Sequence, residues 1–304
     1  MIVNPVCPAA DDALASVAAV CKRRHWAAPL VLPTTTEQPG ADQTREALAA
    51  GVDRVLVAGG DGTVRQVAGV MPTVPIGIVP TGTANIVARN LGLPRHVLDR
   101  AVDIALLGQP RAISIGWVKC QVDGVWGDEM PMLAVAGIGR DAQAVAKTTP
   151  WLKSHLGWLA YAWSGGQAAF EDALPMAVSL DGEESVDIEA WSVLAAALPS
   201  LPLRVVAFPN VAPGDSAFEV LQVALRQPRD WWSVAVKGIF RTERVVTALH
   251  YRRASQVLVR PREPSPVQID GDLITGVQQM SVRLEPGALS VATPKRLPST
   301  RRRH

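Results

Sequence analysis

The chain has 304 residues, of which 48% are hydrophobic and 19% charged, and its formal net charge is +2. This length exceeds what one hydrophobic core usually organises, so two globular domains are expected, and the apolar share argues against disorder. No stretch has the pattern of a secretory signal or a transmembrane helix. Cys7, Cys21 and Cys120 lack metal-ligand spacing, which predicts a reducing, cytoplasmic location and no structural zinc.

Short apolar runs alternate with helical patterns in the first third of the chain. This alternation predicts a parallel, Rossmann-like α/β sheet for residues 1–112. Gly51 and Gly108 end two of the predicted helices, and the domain boundary is placed just after the second of them. The predicted strands are 1–3, 30–32, 54–58 and 76–79, and the predicted helices are about 11–24, 43–50, 63–70, 85–91 and 97–107.

Residues 113–293 show a different pattern, in which short runs of alternating apolar and polar residues are separated by turn residues. Such runs predict a mainly antiparallel β-sandwich domain. Two helices interrupt them, at 151–170 and 231–241. The basic tail 294–304, which contains Arg301, Arg302 and Arg303, is expected to be disordered.

Two strands of the first domain each run into a glycine-rich turn that opens a helix: GGDGT at 59–63 and TGT at 81–83. Open α/β sheets bind ligands at the carboxyl ends of their strands, and glycine lets backbone N–H groups approach phosphate oxygens closely. Thr63 and Thr83 add hydroxyl groups. One such turn is usually structural, but two adjacent turns carrying Asp61 and Asn85 favour phosphate binding.

The stretch DRVLVAGGDGTVRQVAGV, followed by GIVPTGTANIVARNLGLP, closely resembles the diacylglycerol kinase catalytic domain family. This superfamily of bacterial lipid kinases and sphingosine kinases also includes the NAD kinases. Shorter matches follow in the family's order, among them GIGRDA from Gly137 and QIDGDLI from Gln268. The resemblance implies a lipid kinase that uses ATP and Mg²⁺ to phosphorylate a hydroxyl group of diacylglycerol or a related lipid.

The resemblance also implies roles for individual residues. Asp61 would organise magnesium or water near the transferred phosphate, and Asp215 would be a ligand of a second magnesium site. Asp270 and Asp272 occupy the acidic positions of the family's DGE motif, from which the general base is drawn. The implied nucleotide-binding residues are Asn4, Thr36, Gly59, Gly60, Asp61, Gly62, Thr63, Val64, Arg65, Gln66, Gly82, Thr83 and Asn85.

Several positions depart from the family pattern, and they keep other interpretations open. Arg65 and Gln66 replace the usual Asn-Glu, Ile86 replaces a frequent aspartate, and Asp272 replaces the longer glutamate. The residues alone also allow a hairpin turn at 270–272 and an ordinary turn at Asp215. The alternatives to a lipid kinase are an NAD kinase-like enzyme and a non-catalytic sensor that binds nucleotide or lipid.

Charge and tryptophan content suggest how a lipid substrate would be reached. Between residues 226 and 262, lysine and arginine outnumber the acidic Asp230 and Glu243, and tryptophans cluster within 151–232. These features predict peripheral membrane contact, although a core cluster with a solvated basic face is the alternative. No nucleic-acid motif accompanies the charge, so nucleic acid is not a predicted partner. A homodimer is left open.

Overall fold

The computed structural model describes residues 1–142, 172–200, 207–224 and 248–295. It divides into two compact units, the first formed by Met1–Ile113 and Gly287–His304 and the second by Ser114–Pro286. The predicted helices 151–170 and 231–241, the tryptophan cluster around them and nearly all of the basic tail lie outside the described residues.

Helices and strands are numbered along the chain. The helices are α1 (Ala10–Arg23), α2 (Ala41–Ala49), α3 (Asp61–Gly69), α4 (Ile86–Asn90) and α5 (Leu98–Leu107). The strands are β1 (Ile2–Val3), β2 (Leu32–Pro33), β3 (Val55–Gly59), β4 (Ile76–Pro80), β5 (Gln109–Val122), β6 (Val125–Trp126), β7 (Met130–Met132), β8 (Val135–Gly139), β9 (Leu174–Leu180), β10 (Val186–Ala190), β11 (Ser192–Ala196), β12 (Phe218–Val223), β13 (Leu249–Ala254), β14 (Gln256–Pro261), β15 (Ser265–Ile269) and β16 (Asp272–Thr293).

The first unit contains the predicted parallel sheet. Strand β1 lies between β2 and β3, and β3 pairs with β4, all in parallel. Strands β3 and β4 are buried along their whole length, as expected of central parallel strands. Helices α1 and α5 pack their apolar residues against β1, β3 and β4, and Ala13, Val17 and Val102 form the centre of this core.

A segment that the sequence places in the second domain also joins this sheet. Residues 287–293 were predicted to belong to the second domain, but Val291 pairs in parallel with Ile76 and so extends the sheet of the first unit. Leu289 and Val291 are both buried. Strand β16 therefore begins in the second unit and ends in the first. The N-terminal part of the first unit ends at Ile113.

The second unit is built from antiparallel strands, as predicted. One series of neighbouring strands runs β13-β12-β11-β8-β15-β16, and a second series runs β10-β9-β14-β16. Apolar side chains from both series share a single core, which includes Ile138, Phe218 and Met280. None of the described helices is both long and apolar enough to cross a membrane.

Candidate active site

The two glycine-rich turns lie at one edge of the parallel sheet. Gly60 follows β3 directly and Thr81 follows β4 directly. Because neighbouring parallel strands end at the same edge, the turns become neighbours in space. Asn4 follows β1 and Thr36 lies shortly after β2, so the structure brings these predicted positions to the same edge.

Hydrogen bonds hold the two turns together. The Thr81 amide donates to the Gly59 carbonyl over 3.3 Å. The Asp61 Oδ1 atom accepts a hydrogen bond of 3.1 Å from the amide of Val87, at the start of α4. Asp61 is the first residue of α3. Its side chain therefore links the two turns by a hydrogen bond and also places a negative charge at their surface. Sequence reasoning did not predict this second role.

Asn85 fixes the shape of the second turn. It adopts a left-handed conformation with φ of 47°, which asparagine tolerates better than most residues. Its side-chain amide donates to the Gly82 carbonyl, and the side chain is buried. This geometry favours a structural role for Asn85 within the loop, in which Thr83 is exposed.

Glycine is needed in these turns for space. A Cβ atom on Gly82 would overlap the Cα atom of Gly60, and a Cβ atom on Gly59 would lie 2.7 Å from the Cβ of Thr63. Gly60 differs, because its added Cβ would meet Gly82 Cα at 3.5 Å, an ordinary contact. Gly60 also has φ of −89° and ψ of −175°, which any residue adopts.

This difference gives a matched pair of variants. Gly82→Ala is expected to separate the two turns, lowering the free energy of unfolding by about 1–3 kcal/mol and weakening ATP binding. Gly60→Ala is expected to leave stability unchanged, so any loss of ATP affinity would report the space that the phosphates need. Calorimetric titration with ATP and urea unfolding measure the two effects. If both variants bind ATP like the parent, the turns do not hold phosphate.

The remaining predicted nucleotide-binding residues fall into an exposed group and a buried group. Gly62, Thr83 and Thr36 are exposed, and Asp61 and Gln66 are partly exposed. Thr63, Val64 and Arg65 are buried, and the Thr63 side chain packs against Gly59. The exposed and partly exposed residues are therefore the ones whose side chains can contact a nucleotide. The buried residues stabilise the turn by packing.

Asn4 and Thr36 belong to turns of their own. The Asn4 Oδ1 atom accepts a hydrogen bond of 3.1 Å from the Val6 amide, and the Asn4 amide donates to the Ala58 carbonyl of β3. Thr36 lies within a turn in which the Gln38 amide donates to the Thr35 hydroxyl. Both loops are thus shaped by local hydrogen bonds at the edge where the glycine turns lie. Nucleotide contact by either residue stays a prediction.

In the second unit, the two acids predicted to supply a base have different environments. The Asp270 carboxylate accepts three backbone hydrogen bonds, from the amides of Leu133, Ala134 and Val135, over 2.7–2.9 Å. Asp272, the first residue of β16, is exposed. Asp270 thus ties the hairpin turn to the segment that leads into β8, and its acceptor atoms are largely occupied. Asp272 is the better placed of the two to reach a substrate.

Replacing Asp270 tests this structural role. Asp270→Asn keeps a side chain that suits the left-handed φ of 50°, but its amide group turns hydrogen atoms toward backbone donors. We expect the free energy of unfolding to fall by about 2–3 kcal/mol in urea titration. The control is Asp123→Asn, since Asp123 has the same φ of 50° in an exposed turn. Equal stability of the two variants would contradict the anchoring role.

Asp215 makes the contacts of a turn residue. Its Oδ2 atom lies 3.0 Å from a guanidinium nitrogen of Arg253 and accepts a hydrogen bond from the Ala212 amide. Its own amide donates back to the Ala212 carbonyl. These contacts are those of the ordinary turn that the sequence left open, and the role of Asp215 as a magnesium ligand stays a prediction.

Magnesium carried by ATP is a separate case. No set of three acidic, histidine or cysteine residues suitable for a metal ion occurs in the described ranges. Mg²⁺ at phosphoryl-transfer sites is commonly held by one or two carboxylates together with substrate phosphates. Asp61, partly exposed at the glycine turn, is compatible with that arrangement.

Two polar residues near these features were not selected from the sequence. The Thr81 hydroxyl is buried beside the glycine turns, and within the described residues it has no hydrogen-bond partner. In the second unit, the Asp141 carboxylate is buried, and burial raises its pKa to about 6, a rise that hydrogen bonds from Ser192, the Ala142 amide and Gln268 partly offset. Asp141 lies in the GIGRDA segment, which was noted only as a supporting match.

Comparison with known proteins agrees with the geometry of the first unit. Residues 1–118 match the family model of the diacylglycerol kinase catalytic domain. An uncharacterized protein of Synechocystis sp. is 31% identical over 79% of this chain, and a diacylglycerol kinase of Bacillus subtilis is 28% identical, also over 79%. The matched part spans 54% of the Synechocystis protein, about half its length, and 77% of the Bacillus subtilis protein.

A solved structure matches the fold of almost the whole chain. It belongs to a candidate diacylglycerol kinase from Bacillus anthracis str. Sterne, with a TM-score of 0.76 at 20% identity, and covers 97% of this chain and 94% of that one. At this identity the match concerns the fold alone. The two linked glycine turns lie within the segment that matches the family model. Residues 1–118 are therefore similar to the diacylglycerol kinase catalytic domain family.

Proposed function

We propose that this protein transfers the γ-phosphoryl group of ATP to a hydroxyl group of diacylglycerol or a related lipid. The observation that carries the proposal is the pair of glycine turns, held together by Asp61 and by the Gly60–Gly82 contact, in a segment that matches the diacylglycerol kinase catalytic domain. Phosphoryl transfer suits such a site, because its catalysis is mostly positioning and charge neutralisation.

Each unit supplies a different part of the proposed reaction. The turns of the first unit would hold the phosphates through backbone N–H groups, and Asp61 would help to hold the magnesium that enters with ATP and supplies positive charge against the phosphates. Asp272 of the second unit accepts the proton of the lipid hydroxyl. The hydroxyl oxygen then bonds to the γ-phosphorus as the bond to the bridging oxygen breaks, giving ADP and a phosphorylated lipid.

We also propose that the protein contacts the cytoplasmic membrane surface peripherally, because its substrate resides there. The described residues of the basic region 226–262 give this membrane contact partial support. Arg253 is paired with Asp215, and Arg252 lies 3.8 Å from Glu183, so some of the positive charge is already compensated within the protein. The remainder of that region lies outside the described residues, and a homodimer stays a prediction.

The experiment that tests the function is a product screen. The protein is incubated with Mg²⁺, ATP labelled at the γ-phosphate and a total lipid extract, and a parallel reaction contains NAD in place of lipid. A labelled phospholipid is the expected product. Labelled NADP would instead establish the NAD kinase-like alternative. Tight ATP binding without either product would favour the non-catalytic sensor, to which the departures at Arg65, Gln66 and Ile86 point.

A further inference from the structure

Apolar side chains are exposed together in the segment that connects α1 to β2. Ten large hydrophobic residues are exposed in the described ranges, and three of them, Trp26, Leu30 and Val31, lie within residues 26–31. Their exposed fractions are 45%, 40% and 41%. Single exposed apolar residues are ordinary on a protein surface, whereas a group of them is typical of a surface that contacts a partner or a membrane.

The same segment is strongly basic. Lys22 and Arg23 lie in the last turn of α1, Arg24 and His25 follow them, and all four side chains are exposed. In the part of the chain that the structure describes, none of the four forms an ion pair with a carboxylate. The Arg24 guanidinium lies over the Trp26 ring, 5.4 Å from its centroid, so that charge and aromatic surface are presented together.

Backbone hydrogen bonds fix both ends of this 22–31 loop. The Trp26 amide donates to the Cys21 carbonyl over 2.9 Å, and the Leu32 amide donates to the Met1 carbonyl, also over 2.9 Å. Met1 precedes β1, so the loop lies at the amino ends of the parallel strands. The glycine turns lie at the carboxyl ends, roughly 17 Å away along a five-residue strand such as β3. The loop is therefore outside the proposed nucleotide site.

We propose that the 22–31 loop docks on a lipid bilayer that contains anionic phospholipids. Its basic side chains attract the anionic head groups, and Trp26, Leu30 and Val31 enter the boundary between head groups and acyl chains, where tryptophan is favoured. No aspartate or glutamate occurs from residue 13 to residue 36, so the charge of the loop is complementary to an anionic surface. The aliphatic pair favours a bilayer over nucleic acid, which is bound through phosphate charge and through stacking on aromatic rings.

This inference deepens the membrane contact of the proposed function, on which it rests, by naming a surface for it in the first unit instead of the region 226–262. The loop and the glycine turns lie at opposite ends of the strands, so a bilayer bound by the loop leaves the turns uncovered. The loop is thus a docking surface and takes no part in phosphoryl transfer.

The test is sedimentation of the full chain with lipid vesicles in the absence of ATP. The parent should bind vesicles of phosphatidylcholine mixed with phosphatidylglycerol, and it should bind more weakly at high salt or to phosphatidylcholine alone. The double variant Lys22→Gln, Arg23→Gln should lower vesicle affinity by roughly 10- to 30-fold, at about 5-fold for each basic residue near an anionic surface. Trp26→Ala should lower it by about 10-fold, because less apolar area leaves water.

Trp126→Ala is the matched control. Trp126 has a similar exposed fraction, 41%, but it lies between Asp123 and Asp128 in the sequence, so its replacement should leave vesicle affinity unchanged. All the replaced side chains are exposed, and thermal unfolding of each variant should match the parent. If the double variant and Trp26→Ala both sediment like the parent, the inference is wrong. A loss in the double variant alone would also contradict it, because the loop would then attract anions such as nucleic acid without entering a bilayer.

The assay contains no ATP, so its outcome is independent of the proposed kinase activity. A parent that binds vesicles through the loop but phosphorylates no lipid would keep the docking surface and lose the proposed function. A parent that phosphorylates lipid, with loop variants that bind vesicles as it does, would keep the function and lose the docking surface.

Discussion

Asp61→Asn is expected to lower the rate of phosphoryl transfer by roughly 10²- to 10³-fold while the protein stays folded. Asparagine retains an oxygen that can accept the hydrogen bond from the Val87 amide, so the bridge between the two glycine turns survives. What is lost is the negative charge that faces the magnesium of MgATP. Measurement of kcat with labelled ATP, together with urea unfolding, separates the loss of charge from a loss of structure.

Two further variants complete this comparison. Asp61→Ala removes the acceptor as well as the charge, so it should also lose stability, by about 1 kcal/mol for one hydrogen bond. Asp42→Asn is the matched control, because Asp42 also lies in the first turn of a helix but pairs with the exposed Arg45. It should leave the transfer rate unchanged. If Asp61→Asn turns over like the parent, the assignment of GGDGT as the catalytic phosphate turn is wrong.

Local signals explain why the first unit was largely predictable. A buried parallel strand appears as a continuous apolar run, and the runs at 54–58 and 76–79 became β3 and β4 with shifts of one residue. The glycine turns follow these apolar runs directly, so each strand could be predicted together with its turn and the helix after it. The start of α3 at Asp61, inside the predicted turn, is the main local difference. Helix α3 begins early because Gly60 already serves as its N-cap.

Contacts between distant residues explain what sequence reasoning could not supply. The triplet 270–272 looks like a symmetric acidic pair, and only the three amides at 133–135 show that Asp270 is an anchor. The pairing of Val291 with Ile76 is equally non-local. No periodicity or motif in the neighbouring residues reports these pairings.

Asp270 is anchored by backbone amides and Asp272 is exposed, and this difference leads to the prediction with the largest expected effect. Asp272→Asn should lower the rate by roughly 10²- to 10⁴-fold, the usual contribution of a general base, and leave ATP affinity and stability nearly unchanged. The reason is that Asp272 is exposed and belongs to the second unit, whereas the glycine turns belong to the first. Single-turnover rates with saturating lipid measure the chemical step. Asp187→Asn, at an exposed strand position of the same unit, serves as the control.

Asp272→Glu tests the same role in the opposite direction. An exposed position has room for one more methylene group, so the variant should fold like the parent, and its longer reach restores the side chain usual in the family. A shift of about 1 Å in a catalytic group can change a rate on the order of 10²-fold, so turnover should be retained or raised. Rate losses confined to Asp270→Asn, accompanied by lost stability, would mean that the turn matters only as structure. The base would then have to be sought elsewhere, with Asp61 as the next candidate, and Asp272→Asn would behave like the Asp187→Asn control.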